Sequence, residues 1–540
     1  MSLTINPVPY GVDLQNALSV LNEAYPDGKV FLITLKSTGK ETPNEYDIQV
    51  DDQNSTKRVS LSGNAVHEDS ESSELSTETF ETGTPSSSKP TSPSTVSPNP
   101  FRGLEWVDEV FGPEPRWTYE PESEAIFRTA MPAISKSLQS PKSDPIKSFG
   151  CKFLTEGTFN KIYDVEVDGQ NFIMRVSLPV DPVFKTRSEV ATVDWIRLVT
   201  DIPIPKILAY DATRETEVGF EWILMSKMPG QPLDDYWPTM PMATKMNLVK
   251  RFAAFSASLW RNQLKGIGNI YPASVTTEDT RSNQDPSATD IPVPMVKHIT
   301  PNTSRIVSLE FVTKSHTYQD VVRGPFASSH QWMVSRLCLA KNDCYEQLLK
   351  YSVDDDDAEG EMERAKKTLR RVENLELILP RIFPLLSKTP EPTMIFHDDL
   401  NSSNILVSDK GELTAVLDWE LVSALPLWKA CYFPSFLDGM PRDDKPDIEW
   451  YDDGNPQPGT AYWEHLNDYE TTVLRKFFLE EMKKSEPGWV DIFNASQLQR
   501  DFDTALQHFK DAFGGMQIDS WISDVIIGKE PKSLREAVGL

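Results

Sequence analysis

The sequence predicts an α+β protein of two lobes, a small one built on a β-sheet and a large, mainly helical one, with a partly disordered N-terminal extension. Three observations carry this. Across 149–230, short apolar segments alternate at period two between turn residues. Across 231–540 the apolar spacing becomes mainly helical. Before both, residues 53–100 contain the run EDSESSELSTETFETGTPSSSKPTSPSTVSPNP, acidic and then rich in Ser, Thr and Pro. Such a stretch buries too little apolar surface to offset chain entropy.

The elements follow in order. Residues 1–52 hold a helical pattern over Asp13–Tyr25 and strand patterns over Val30–Leu35 and Tyr46–Val50, an undecided small segment. Residues 101–148 form a lead-in carrying Trp106, Phe111 and Trp117. Strands are then expected over Lys152–Leu154, Lys161–Val167 and Asn171–Ser177. The turn TEGTFN separates the first two and Asp168-Gly169, a strong tight-turn pair, the last two. An amphipathic helix follows over Arg187–Val199, then two short strands, ILAYD and EWILM. Beyond Gly230, helices are expected over Met242–Arg261, Ser329–Tyr351, Glu361–Leu379 and Tyr462–Lys484. Polar insertions are expected near 274–304 and at the acidic run 354–363, read as a solvated connection.

Composition narrows the function. The 540 residues carry 54 Lys+Arg against 81 Asp+Glu, a formal charge of −27. That argues against nucleic acid as a partner, because phosphate binding needs clustered cations. It would suit a cationic ligand, though a solubilising acidic surface explains it as well. The four cysteines form no C-x-x-C pair, so neither a zinc site nor a disulfide framework is expected. No apolar run reaches the ~20 residues of a membrane span. The N-terminus has no signal or presequence character, so a cytoplasmic monomer or weak dimer is expected.

The chemistry concentrates in HDDLNSSNILVSDKGELTAVLDWE, residues 397–420. Asn404–Val407 and Leu413–Leu417 read as the arms of a hairpin around SDKGE. A hairpin returns to its start, so Asn404 and Asp418 meet at its open end. One amide oxygen and one carboxylate there suit magnesium, which takes hard oxygen ligands and few of them from protein. Asp399, on the preceding loop, is placed to take a proton from a hydroxyl. Phosphoryl transfer asks mainly for alignment and charge neutralisation. His397 is expected to hold the loop by bonding its backbone or Asp418.

His397-Asp398-Asp399, four residues and then Asn404 resemble the H-x-D-x-x-x-x-N catalytic loop of kinases. Asp418-Trp419-Glu420 stands where protein kinases have D-F-G and looks like the aminoglycoside phosphotransferase and choline kinase branch. The stretches EGTFNKIYDVEVDGQNFIMRVSLP, SEVATVDWIRLVTDIPIPKILAYD and DVVRGPFASSHQWM are similar to fungal members of that family, those named for altered inheritance of mitochondria.

The resemblance implies a protein kinase-like fold, Mg2+ with ATP or GTP, and a hydroxyl on a small molecule as acceptor, a cationic one included. It implies Asp399 as base, with Asn404 and Asp418 on the metal. Gly157 and Thr158 fall in the phosphate-covering loop, where backbone N–H groups suit a phosphate. Arg175 falls where a kinase has its phosphate-binding lysine, with Glu189 as its partner, and Glu221–Gly230 falls at the interlobe hinge. It also raises a mitochondrial location. The loop departs from the pattern at Asn401, which leaves no cation two residues after Asp399. A nucleotide-binding protein of this fold without turnover is the rival expectation.

Overall fold

The computed structural model describes residues 32–37, 45–52, 55–62, 99–109, 112–137, 148–272, 300–350, 358–385, 390–451, 460–511 and 514–538. It divides into two compact units, Met1–Thr95 and Val96–Leu540. In the first, β1 (Leu32–Ser37), β2 (Glu45–Asp52) and β3 (Ser55–Ser62) form an antiparallel sheet in that order. The strand β3 falls within the stretch 53–100 that was expected to be disordered. Its Val59 and Leu61 alternate with polar neighbours, a weak period-two signal that pairing with β2 completes. The expected Asp13–Tyr25 helix and most of the Ser/Thr/Pro run lie outside the described residues.

The second unit is bilobal. Its small lobe holds a five-stranded antiparallel sheet: β6 (Phe149–Glu156), β7 (Asn160–Val167), β8 (Gln170–Ser177), β9 (Ile207–Asp211) and β10 (Glu221–Ser226), ordered β6-β7-β8-β10-β9. Asp168 and Gly169 both take positive φ, 50° and 78°, as a two-residue hairpin turn requires. Strand alternation sends Phe172, Met174 and Val176 into one core and turns Arg175 to the other face.

The lead-in belongs to this lobe, which therefore starts well before 149. A hairpin of β4 (Leu104–Glu109) and β5 (Gly112–Trp117) and the helix α1 (Ser123–Ser137) pack on the same core. In α1, Ile126, Ala130 and Ile134 are fully buried at helical spacing. Helix α2 (Phe184–Val199) covers the opposite face, with Val190, Val193 and Ile196 buried beside Ile223.

The chain crosses to the large lobe at Gly230. This residue has φ 113°, and a Cβ there would collide with Thr414 and the Val407 carbonyl. Only glycine allows that approach without strain. β11 (Gln231–Pro232) then pairs with the catalytic hairpin, β14 (Ile405–Val407) and β15 (Leu413–Val416). Helices α3 (Met242–Arg261), α4 (Ser329–Lys350), α5 (Ala358–Ile382), α6 (Thr460–Ser485), α7 (Pro487–Ala495), α8 (Gln497–Gln507) and α9 (Gly515–Ile526) build the rest. Helix α5 starts at Ala358, so half of the run read as a solvated connection is its first turns. A small sheet of β12 (Leu264–Lys265), β13 (Pro392–Phe396) and β16 (Ser423–Pro426) carries the chain into and away from the catalytic segment.

A strap over residues 305–326 joins the lobes. Val307 and Val312 are buried in the small-lobe core, whereas Ile306, Phe311 and Phe326 are buried in the large-lobe core. Arg305 Nη2 grips both oxygens of Asp181, at 3.0 and 3.1 Å. Asn269 pins the strap from below. Its Oδ1 accepts from Val307 N at 2.8 Å, and its Nδ2 donates to Val422 O at 3.0 Å. Much of the polar insertion expected at 274–304 lies outside the described residues, but its end is tied down where Thr303 Oγ1 donates to Lys265 O at 2.9 Å.

Candidate active site

The candidate catalytic segment, residues 397–420, folds as its spacing requires. Leu417 N donates to Asn404 O at 2.8 Å, so the residue before Asp418 is bonded to the residue that opens the hairpin. Asn404 closes a 3-10 turn, Ser402–Asn404, rather than starting the strand. Asn401 caps that turn, its Oδ1 accepting from Ser403 N at 3.0 Å and Asn404 N at 3.2 Å.

Asn401 also donates Nδ2 to Asp399 Oδ1 at 2.7 Å, while Asn404 Nδ2 donates to Asp399 Oδ2 at 3.1 Å. Asp399 is exposed, yet both its oxygens are held. Asn401 thus aligns the candidate base instead of supplying charge. His397 is buried and bonds Leu417 O through Nε2 at 3.1 Å, with its ring edge on Trp419 at 4.9 Å. Burial pushes its pKa below the usual imidazole range, against the Leu417 bond. It holds the loop to the backbone next to Asp418, one of the two bonds expected of it.

Asp418 has φ 56° and Leu421 φ 58°, two non-glycine residues in left-handed backbone within four positions. Such conformations cost on the order of 1–3 kcal/mol each and gather at functional sites. They turn Asp418 and Glu420 toward the small lobe, where a charge network receives them. Arg175 is paired with Glu189 and donates Nη1 to Asp418 Oδ1 at 3.1 Å. Lys185 Nζ sits 2.5 Å from Glu420 Oε2, and Asn160 Nδ2 donates to the same oxygen at 2.8 Å.

Two cations therefore face three carboxylates. The surplus negative charge lies where Asp418 opens to the cleft, about a third exposed. Burial, with Glu420 adding to it, raises the Asp418 pKa to about 6. Burial would raise Glu420 as well, but Lys185 and Arg175 hold it below the usual carboxylate range. Burial lowers the Lys185 pKa, against the pull of Glu420.

One cavity of about 800 Å3 connects these parts. Gly157 and Thr158, on the turn between β6 and β7, line it together with His397, Asp399 and Asp418. Arg175 and Glu189 lie behind its wall, and Asn404 stands beside it. The cavity then continues to the strap and the end of α8. There a second buried cluster appears: Asp503 is paired with Arg336 and takes Lys429 Nζ on Oδ2 at 2.9 Å. Burial opposes ionisation of Asp503, but these two cations hold its pKa at about 2.

Sequence reading had not found Lys185 or this second cluster, and had quoted Glu420 and Asn160 only as members of motifs, with no role of their own. Lys185 had a signal, standing four residues before Glu189 on one helix face. Asp503, more than a hundred residues from the catalytic loop, had none. The acidic stretch 438–456, weighed as a cation site, contributes no described residue to the cavity, and its Asp443 pairs outward with Lys476 at 2.7 Å.

A family model described as the phosphotransferase enzyme family matches residues 150–428, more than half of the chain. The chain belongs to this family. As a member of the phosphotransferase enzyme family, it is 31% identical over 121 residues to a subtelomeric hrmA-associated cluster protein of Aspergillus fumigatus, covering 22% of this chain and 24% of that one. It is 23% identical over 360 residues to altered inheritance of mitochondria protein 9, mitochondrial, of Eremothecium gossypii, covering 61% of this chain and 57% of that one. The chain thus spans from about a quarter to under two thirds of these relatives. Among solved structures, aminoglycoside phosphotransferase APH(4)-Ia aligns at 15% identity over 76% of this chain and 100% of that one, with TM-score 0.35. Among the described residues, no helix is long and apolar enough to cross a membrane.

Proposed function

We propose that this family member is an Mg–ATP-dependent phosphotransferase that moves the γ-phosphoryl group onto a hydroxyl of a small molecule. The observation that supports it best is the meeting of Asp399, Asn404 and Asp418 at the open end of one hairpin, beside the cavity that Gly157 and Thr158 also line. Asp399 accepts the hydroxyl proton, its oxygens aimed by Asn401 and Asn404. The turn at Gly157 offers backbone N–H groups to phosphate, and Arg175, anchored by Glu189, adds a fixed cation nearby.

The donors at Asn404 and Asp418 are hard oxygens, and the surplus negative charge lies on their side, so the pair fits Mg2+. When bound, that ion neutralises phosphate charge.

Thermal shift with Mg–ATP and Mg–GTP tests the nucleotide half. Stabilisation is expected for wild type and Asp399→Asn and is lost in Asp418→Ala. Transfer from labelled ATP to a panel of hydroxyl compounds tests the rest. Asp399→Asn should slow it on the order of 10²–10⁴-fold. Wild type that gains no stability from either Mg–nucleotide sinks the proposal. One observation favours binding without turnover: Arg175 sits on the Asp418 carboxylate that the metal would use. Nucleotide binding that ignores both Mg2+ and Asp418→Ala would support that reading. A cytosolic monomer or weak dimer is kept as the expectation beside relatives named mitochondrial. Cell fractionation and sedimentation decide both points.

A further inference from the structure

The far end of the cavity differs from the nucleotide end. Three carboxylates face it, Glu310, Asp343 and Asp398. Each has a cation of the chain beside it, two of them shared with buried Asp503. Glu310 lies 3.3 Å from Arg336 Nη2 and Asp398 3.5 Å from Lys429 Nζ. Asp343 holds His316 at 2.9 Å and Lys510 at 2.7 Å. Behind them, buried Asp503 binds Arg336 and Lys429 together.

The rest of the wall is largely apolar, with Leu309, Trp332, Leu339, Phe396, Leu506 and Phe509. A polycation entering here would have to displace built-in cations. It would exchange one ion pair for another while losing its own hydration. A neutral apolar body leaves those ion pairs in place and removes water from the apolar part of the wall, which is favourable in proportion to the apolar area covered.

We infer that the acceptor is a neutral, largely apolar alcohol, its hydroxyl at Asp399 and its body between the strap and the end of α8. This replaces the cationic acceptor that the net charge would suit, and it rests on the phosphotransfer reading for the hydroxyl alone. In the step, the alcohol oxygen bonds to the γ-phosphorus and the bond from that phosphorus to the β–γ bridging oxygen breaks. The proton goes to Asp399, and the products are ADP and a phosphate monoester.

The test reads binding without nucleotide. The full chain is titrated with N-phenyl-1-naphthylamine, a neutral apolar fluorophore, which is then displaced by farnesol or by kanamycin. Farnesol is expected to displace it, with kanamycin ineffective at about a hundredfold higher concentration, a difference of about 2.7 kcal/mol. Leu309→Glu adds an unpaired carboxylate on the cavity at a residue 55% exposed, where the fold tolerates it. This variant should weaken farnesol at least about tenfold.

The inference is overturned if the fluorophore does not bind or farnesol does not displace it. It is equally overturned if kanamycin competes as well as farnesol or if Leu309→Glu leaves farnesol unchanged. Label transfer in Mg–ATP separates the two readings. Label on kanamycin and none on farnesol keeps phosphotransfer and sinks the alcohol class. Farnesol displacement with no transfer to any alcohol keeps the class and sinks turnover.

Discussion

The two ends of the cleft arrange their charged groups differently. At the proposed nucleotide end, Arg175, Lys185, Glu189, Asp418 and Glu420 form one buried network with a carboxylate left over toward the opening. At the proposed acceptor end, Glu310, Asp398 and Asp343 are each paired, Arg336 and Lys429 are shared with buried Asp503, and much of the wall between is apolar. The two ends also differ in origin. The first comes from β8, α2 and a hairpin, the second from a strap and helices scattered over two hundred residues.

The comparison is most exposed to test at Lys185. If the nucleotide end is a single electrostatic unit, Lys185→Met leaves Glu420 buried with only Asn160 and a distant Arg175. Removing one partner of a buried pair typically costs about 3–5 kcal/mol. Urea unfolding should show a loss of that order, with Mg–nucleotide stabilisation falling alongside it. Adding Glu420→Gln, which removes the stranded charge, should restore much of the stability. A Lys185→Met chain as stable as wild type would mean that the charges are not interlocked.

The acceptor-end cluster predicts a smaller effect with a defined pH window. The folded pKa of Asp503, about 2, lies below the ordinary value of 3.8. A depressed carboxylate stabilises the fold above its unfolded pKa and loses that contribution as pH falls toward its folded one. Two units correspond to roughly 2–3 kcal/mol at pH 7, with about half gone by pH 3. Unfolding midpoints of wild type and Asp503→Asn between pH 7 and 3 measure it. Their gap should be widest at neutral pH and narrow below pH 4. A gap independent of pH would mean that Asp503 is not held by Arg336 and Lys429.

The same contrast governs what could be read from sequence. The strands, the Asp168-Gly169 turn and the Asn404–Asp418 hairpin are local patterns, visible within twenty residues. Asp399 with Asn404 and Asp418 follows from position on those elements, and Arg175 with Glu189 from the resemblance to kinases. Lys185 was open to the same reasoning, being one helical turn from Glu189. Nothing local pointed to the strap, because residues 305–326 split their apolar side chains between two cores and show neither strand nor helix period. Asp503 reads as one polar residue on an amphipathic helix until tertiary packing sets Arg336 and Lys429 beside it. The lead-in showed no elements to sequence reading for a related reason: the apolar face of α1, Ile126, Ala130 and Ile134, makes sense only against the sheet.

The smallest expected effect tests where the site ends. The acidic stretch at 438–456 matched a cationic acceptor by composition, but charge runs are more often solvated faces. Asp443 pairs with Lys476 at 2.7 Å, and both side chains are well exposed, at 81% and 65%. Ion pairs between long, hydrated side chains gain little because water screens them and their ordering costs entropy. Asp443→Asn should therefore leave the melting temperature unchanged within error and transfer rates within about twofold. Its partner variant, Lys476→Gln, should behave alike. A large fall in transfer with the fold intact would extend the acceptor site to this loop. The wall between the strap and α8 would then be only part of what an acceptor meets.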